Sequence, residues 1–136
     1  MKAPSFAYAR PDSVAEALAL LASHGDAARV LAGGQSLLPS LNMRLSSPGL
    51  LVDITGLKEL AGIRKRDGVL RVGALTRHSE IERSNEIARH VPLLAQAVPH
   101  VAHVAIRNAG TLGGSVALAD PATCSRSAPG MILRWT

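Results

Sequence analysis

Arg29-Val30-Leu31-Ala32 runs directly into Gly33-Gly34-Gln35-Ser36, and the reading of this stretch decides the rest. The first four residues predict a short buried strand, and Ser36 stands where a side-chain oxygen caps a helical segment over 37–44. Strand, glycine loop, helix is an order that turns the unpaired N–H groups of a helix start toward whatever the loop holds. Far along the chain, Thr111-Leu112-Gly113-Gly114-Ser115 repeats the same chemistry: two residues without side chains, beside hydroxyls. Missing side chains let backbone N–H groups approach an anion closely. Either pair alone is a common turn. Together they suit a dinucleotide's diphosphate, which carries about two negative charges and more acceptor oxygens than one turn satisfies. No G-x-G-x-x-G follows a strand and no G-x-x-x-x-G-K-S/T occurs, so a ligand here would be held by a different geometry.

Outward from these loops, Asp12-Ser13 followed by Val14, Ala17, Leu18 and Leu21 predicts a capped amphipathic helix that stops at Gly25. Residues 50–54, Leu-Leu-Val-Asp-Ile, predict a second strand, and residues 57–60 a short helical turn. The segments 63–65 and 69–72 flank Asp67-Gly68, a pair that tolerates positive φ at a hairpin tip. Thr76 is placed to cap a helix carrying His78, Ile81 and Glu82. Residues 87–98 continue helically with a new start at Pro92, and after His100 the chain is expected to be extended up to a glycine loop over 110–114.

Composition bounds the function. A chain of 136 residues is about one domain long. Hydrophobic residues make up 47% and aromatic residues 2%, so the core must be built from Ala, Leu and Val. A net charge of +5 raises the question of nucleic acid, but Arg64-Lys65-Arg66 is the one tight basic run, it meets Asp67-Gly68 at once, and few aromatics are present to stack on bases. A solvated hairpin tip is the expectation, with no nucleic-acid partner. Cys124 is the sole cysteine, which excludes a disulfide within the chain. No apolar stretch approaches the ~18 residues of a transmembrane segment, and a cytoplasmic protein is the default. His100 and His103 lack a third metal ligand nearby and are expected to be packing or surface residues. Arg107-Asn108 has two readings, a phosphate contact or a hydrogen bond to the turn. No catalytic acid, base or nucleophile is identified by spacing, so any chemistry would be carried by a cofactor.

The segments 32–39 (Ala-Gly-Gly-Gln-Ser-Leu-Leu-Pro), 52–54 (Val-Asp-Ile), 73–76 (Gly-Ala-Leu-Thr) and 106–115 (Ile-Arg-Asn-Ala-Gly-Thr-Leu-Gly-Gly-Ser), with Ala119-Asp120-Pro121, resemble the FAD-binding medium subunit of molybdenum hydroxylases. Aerobic carbon monoxide dehydrogenase and xanthine dehydrogenase-type enzymes are the nearest kinds. The resemblance implies an α+β architecture, the FAD-binding fold of the p-cresol methylhydroxylase and vanillyl-alcohol oxidase type, here truncated. It assigns the FAD diphosphate to Ala32, Gly33, Gly34, Gln35 and Ser36, and to Thr111, Leu112, Gly113, Gly114 and Ser115, and it places Asp120 near the cofactor. It further implies partners: a large subunit with the molybdenum cofactor and a small subunit with two [2Fe–2S] clusters, from which electrons pass through FAD to an acceptor.

The resemblance covers residues 1–122 and stops there. Residues 123–136 are expected to be an unmatched tail from a frameshifted or truncated reading frame, with Cys124 where the family tends to place an acid and Trp135 also in the tail. Two rival readings remain: a non-catalytic fragment or interaction module without FAD, and another reductase of the same flavin fold.

Overall fold

The computed structural model describes residues 2–119. Three short parallel strands form one sheet: β1 (Ala7–Ala9), β2 (Ala28–Leu31) and β3 (Leu50–Asp53), with β3 in the middle. Every residue of β3 is buried, as a nearly all-apolar run flanked by a strand on both sides requires. The strand before the first glycine pair is less buried than its sequence predicts, because β2 lies at the edge and leaves Val30 42% exposed.

Two helices make the crossovers. In α1 (Val14–His24), Ser13 Oγ accepts the Glu16 N–H (3.2 Å) and the Glu16 carboxylate accepts the Asp12 N–H (2.9 Å). Gly25, at φ +49°, ends it as the sequence predicts. Ala17 packs α1 onto Ala28, Leu50, Val52, Leu57 and Leu75, the first apolar cluster. The second crossover, α2 (Leu37–Asn42), is shorter than the expected 37–44. Ser36 occupies its N-cap position without a side-chain capping bond, in helical rather than extended backbone conformation.

The chain then forms a hairpin, β4 (Ile63–Arg66) and β5 (Val69–Val72), whose tip places Asp67 and Gly68 at φ +52° and +76°. These are the paired positive angles that Asp-Gly predicts. Five α-helices follow among the described residues: α3 (His78–Glu82), α4 (Asn85–His90), α5 (Pro92–Ala97), α6 (Val104–Ala109) and α7 (Leu112–Leu118). Ile81, Ile87, Leu94, Val98 and Leu112 form a second apolar cluster, closed on one side by Ile63, Leu70 and Val72 of the hairpin.

Three expectations are corrected here. Thr76 does not cap α3: its hydroxyl is fully buried, donates to the Gly62 carbonyl (3.1 Å) and accepts the Gly62 N–H (3.0 Å), while the Glu80 carboxylate accepts the Arg77 N–H (3.2 Å) at the helix start. The segment after His100 is not extended but carries α6, whose Arg107 donates to the carbonyls of Pro99, Val101 and Ala102 and pairs with the distant Glu82. Gly113 and Gly114 lie inside the first turn of α7, not in a loop, with Thr111 as its cap. No helix among the described residues is long and apolar enough to cross a membrane.

Candidate functional site

The two glycine segments, separated by most of the chain, meet in space. A Cβ on Gly33 would run into the Ala109 carbonyl oxygen and stand 2.8 Å from Gly110 Cα, so the backbone of the first loop lies directly on that of residues 109–110. The loop leaves the carboxyl end of β2, the edge of a parallel sheet where ligands commonly bind. Gly34 sits at φ +69°, in the left-handed region that favours glycine, and its carbonyl accepts the Leu38 N–H (3.0 Å). Gln35 folds back to donate from Nε2 to the Gly33 carbonyl (3.0 Å). Among the described residues, no acceptor is bonded to the N–H groups of Gly33, Gly34, Gln35 and Ser36. Four consecutive donors thus stand open on one short loop. Ala32, before them, packs against the first apolar cluster.

The second segment is built differently. Four of its five N–H groups, those of Leu112 to Ser115, are committed within the chain: Leu112 to the Thr76 carbonyl (3.0 Å), Gly113 to the Ala74 carbonyl (2.8 Å), Gly114 to Thr111 Oγ1 (3.2 Å) and Ser115 to the Thr111 carbonyl (3.1 Å). A Cβ on Gly113 would stand 2.7 Å from that of Ala74, so glycine here serves the close approach of α7 to residues 74–76. The segment offers the first loop a bare backbone wall at Gly110 and one half-buried hydroxyl, that of Ser115.

Ser115 Oγ lies 2.8 Å from Nε2 of His78, a ring only 3% exposed. The other ring nitrogen, Nδ1, is buried with no partner among the described residues. Burial, and then the charge of Arg107, hold His78 below the usual histidine range, so the ring is neutral at neutral pH. The sequence placed His78 on a helix and gave it no role, since the contact to Ser115 spans 37 residues and leaves no local pattern.

Of the two readings of Arg107, the structure supports the structural one. The guanidinium is 8% exposed, pairs through Nε with Glu82 Oε2 (2.9 Å), and donates through one terminal nitrogen to the carbonyls of Pro99 (3.2 Å), Val101 (3.3 Å) and Ala102 (3.0 Å). These bonds gather the turn before α6 and leave the fork no room for a phosphate. Asp53, at the carboxyl end of β3, is likewise spoken for: it accepts the Tyr8 hydroxyl, the Thr55 N–H (2.9 Å) and the Thr55 hydroxyl (2.7 Å). Burial pushes its carboxyl up, but these bonds and nearby Arg10 outweigh that and hold it below the usual range. His100 and His103 are both exposed, and no group of three or more His, Cys, Asp or Glu side chains is placed to hold a metal among the described residues. Asp120, Cys124, Trp135 and the expected tail over 123–136 lie outside the described residues.

Comparison with known proteins gives a consistent picture. The family described as FAD binding domain in molybdopterin dehydrogenase matches residues 4–133. The alpha subunit of the 6-hydroxypseudooxynicotine dehydrogenase complex of Paenarthrobacter nicotinovorans is 53% identical over 122 residues, covering 90% of this chain and 41% of that one. Carbon monoxide dehydrogenase from Hydrogenophaga pseudoflava is structurally similar with a TM-score of 0.86 at 42% identity, over 89% of this chain and 42% of that one. Quinoline 2-oxidoreductase from Pseudomonas putida 86 gives a TM-score of 0.83 at 47% identity, over 88% of this chain and 42% of that one. The chain therefore spans about two fifths of the length of these relatives.

Proposed function

Since the chain belongs to the family of FAD-binding domains in molybdopterin dehydrogenases, we propose that it binds FAD by its diphosphate and is part of the electron-transferring flavoprotein subunit of a molybdenum hydroxylase. The observation that carries this reading is the row of four unbonded N–H groups from Gly33 to Ser36, seated on the bare backbone of Gly110. Such a row brings several partial positive charges to one short loop, which suits diphosphate oxygens. Hydrogen bonds from such donors to charged oxygens are stronger than those to neutral acceptors.

The residues fit the cofactor. Gly33, Gly34, Gln35 and Ser36 would hold the diphosphate through their backbones, with Ala32 anchoring the loop to the core. Thr111, Leu112, Gly113 and Gly114 would act by fixing the wall opposite, and Ser115 by its hydroxyl. FAD, when bound, supplies the ability to take electrons singly and release them as a pair. The partners in this reading are a large subunit carrying the molybdenum cofactor and a small subunit carrying [2Fe–2S] clusters. The fold is that of the p-cresol methylhydroxylase and vanillyl-alcohol oxidase type. Asp120 is assigned near the cofactor on the family pattern alone.

The test is a competition titration followed by flavin fluorescence. FAD should bind, ADP should displace it, and riboflavin, which lacks phosphate, should not. A chain that binds no FAD, or one from which riboflavin and ADP displace FAD equally well, would refute the diphosphate reading.

A further inference from the structure

We infer that His78 is a positioning residue that sets the polarity of the Ser115 hydroxyl, so that Ser115 presents its proton as a hydrogen-bond donor to a phosphate oxygen beside the first glycine loop. The inference rests on the diphosphate reading above and adds a residue to it.

The argument starts from the two ring nitrogens. Nε2 is 2.8 Å from Ser115 Oγ, and Nδ1 is buried without a partner among the described residues. A neutral imidazole carries one proton, on one nitrogen or the other. With the proton on Nδ1, a buried N–H donor would be orphaned, and orphaned buried N–H groups are rarer in folded proteins than under-used acceptors. With the proton on Nε2, the ring donates to Ser115 Oγ and only a lone pair goes unused. The nearby charge of Arg107 and the burial of the ring both oppose a second proton. The Nε2–H form is therefore the one the surroundings select.

The consequence falls on Ser115. Its oxygen accepts from His78, so its own proton must point elsewhere, and no acceptor for it exists among the described residues. The hydroxyl is half-buried and on the first turn of α7, next to the junction of the two glycine segments. Gly110 defines that junction: a Cβ there would stand 3.2 Å from His78 Cδ2 and 3.7 Å from Gln35 Cγ, so the histidine and the first loop converge on the same missing side chain. The backbone ties it further, since the His78 N–H donates to the Gly110 carbonyl (3.1 Å). A hydroxyl forced to donate, and linked through His78 and Gly110 to the loop that carries the open N–H groups, adds one more donor and no competing acceptor. That is the polarity an anion needs.

Two measurements on the chain test this. In ¹⁵N-labelled protein without ligand, the His78 ring at neutral pH should show the chemical shifts of the Nε2–H tautomer; the Nδ1–H tautomer or an imidazolium would overturn the inference. In FAD titrations, Ser115→Ala and His78→Phe should each weaken binding by about tenfold or more, as loss of a bond to a charged group does. The double variant should be little worse than either, because the two residues act through one hydroxyl. His78→Gln, which keeps an N–H donor, should recover part of the affinity lost in His78→Phe and serves as the informative variant if the latter folds poorly. Independent, additive losses, or FAD binding indifferent to both residues, would overturn the role of His78 while leaving the diphosphate reading intact. Failure of the unsubstituted chain to bind either FAD or inorganic pyrophosphate would overturn both.

Discussion

Substituting Gly33 by alanine is the sharpest probe of the junction between the two glycine segments. Its φ is not in the positive range, so the cost of a side chain there is steric and not conformational. The added methyl would run into the Ala109 carbonyl oxygen and stand 2.8 Å from Gly110 Cα, and both neighbours are backbone, with no side chain to swing aside. Overpacking of a tight site costs about 1–3 kcal/mol, and the absence of a yielding neighbour puts this case at the upper end. The control is Gly68→Ala at the hairpin tip, where nothing lies within 4 Å of a Cβ but φ is +76°. Left-handed strain alone costs about 1–2 kcal/mol there. Urea denaturation monitored by circular dichroism measures both, and FAD titration separates them: Gly33→Ala should lose stability and affinity together, Gly68→Ala stability only. A Gly33→Ala protein within about 0.5 kcal/mol of the parent, the range of ordinary surface substitutions, and with unchanged affinity would refute the contact between the loops and the reasoning built on it.

Replacing Arg107 by Met should cost about 3 kcal/mol in the same denaturation assay, because it leaves Glu82 and the carbonyls of Pro99, Val101 and Ala102 without their donor; Arg107→Lys should fall between, lacking the planar fork. Stability should also decline with acid. His78, held below its ordinary 6.5, contributes stability that is complete above that value and is lost as pH falls through its lower folded value; Asp53, held below 3.8, does the same in a more acid window. Asp53→Asn should flatten the acid limb of a stability-against-pH curve, and an unchanged limb would count against the Tyr8 and Thr55 bonds. At the alkaline end the Tyr8 hydroxyl, raised by its bond to Asp53, contributes stability that is complete below 10.0 and lost as pH rises through its higher folded value, an effect Tyr8→Phe should abolish. Finally, Arg64, Lys65 and Arg66 are exposed on β4, and any DNA retention on a charged resin should vanish between about 50 and 200 mM salt.

What the sequence made legible was local. Ser13 and Gly25 bound α1, and Asp67-Gly68 specifies the hairpin tip, because each of these acts through its own backbone and its nearest neighbours. The three-residue strand β1 carries no periodic signal in Ala-Tyr-Ala and exists because β3 offers it an open edge. The helix α6 goes against the β-branched Val104 and Ile106 because Arg107 bonds three carbonyls just upstream and is held by Glu82, 25 residues away, a partner that no short window contains. The glycine pairs were legible as a pair, yet their division of labour was not. Whether an N–H is open or committed depends on what lies opposite, and for Gly113 that is Ala74, far away in the sequence.

The site lies on the seam between two small cores, and this explains where glycine is required. Leu75 belongs to the first apolar cluster and Leu112 to the second. The segments that carry them are joined by the bonds from Leu112 to Thr76 and from Gly113 to Ala74, and by a bridge between Arg77 and Thr111. Gly33 on Gly110 and Gly113 on Ala74 are thus two close backbone contacts across a single seam. Loss of a core side chain such as Ile81 or Val52 weakens one cluster but leaves the seam's spacing to the other elements. A methyl at Gly33 or Gly113 forces the seam apart, and with it the distance between the open N–H row and the Ser115 hydroxyl. Ligand affinity should therefore follow the seam more closely than it follows overall stability, which is why the glycine substitutions, and not core truncations, report on the site.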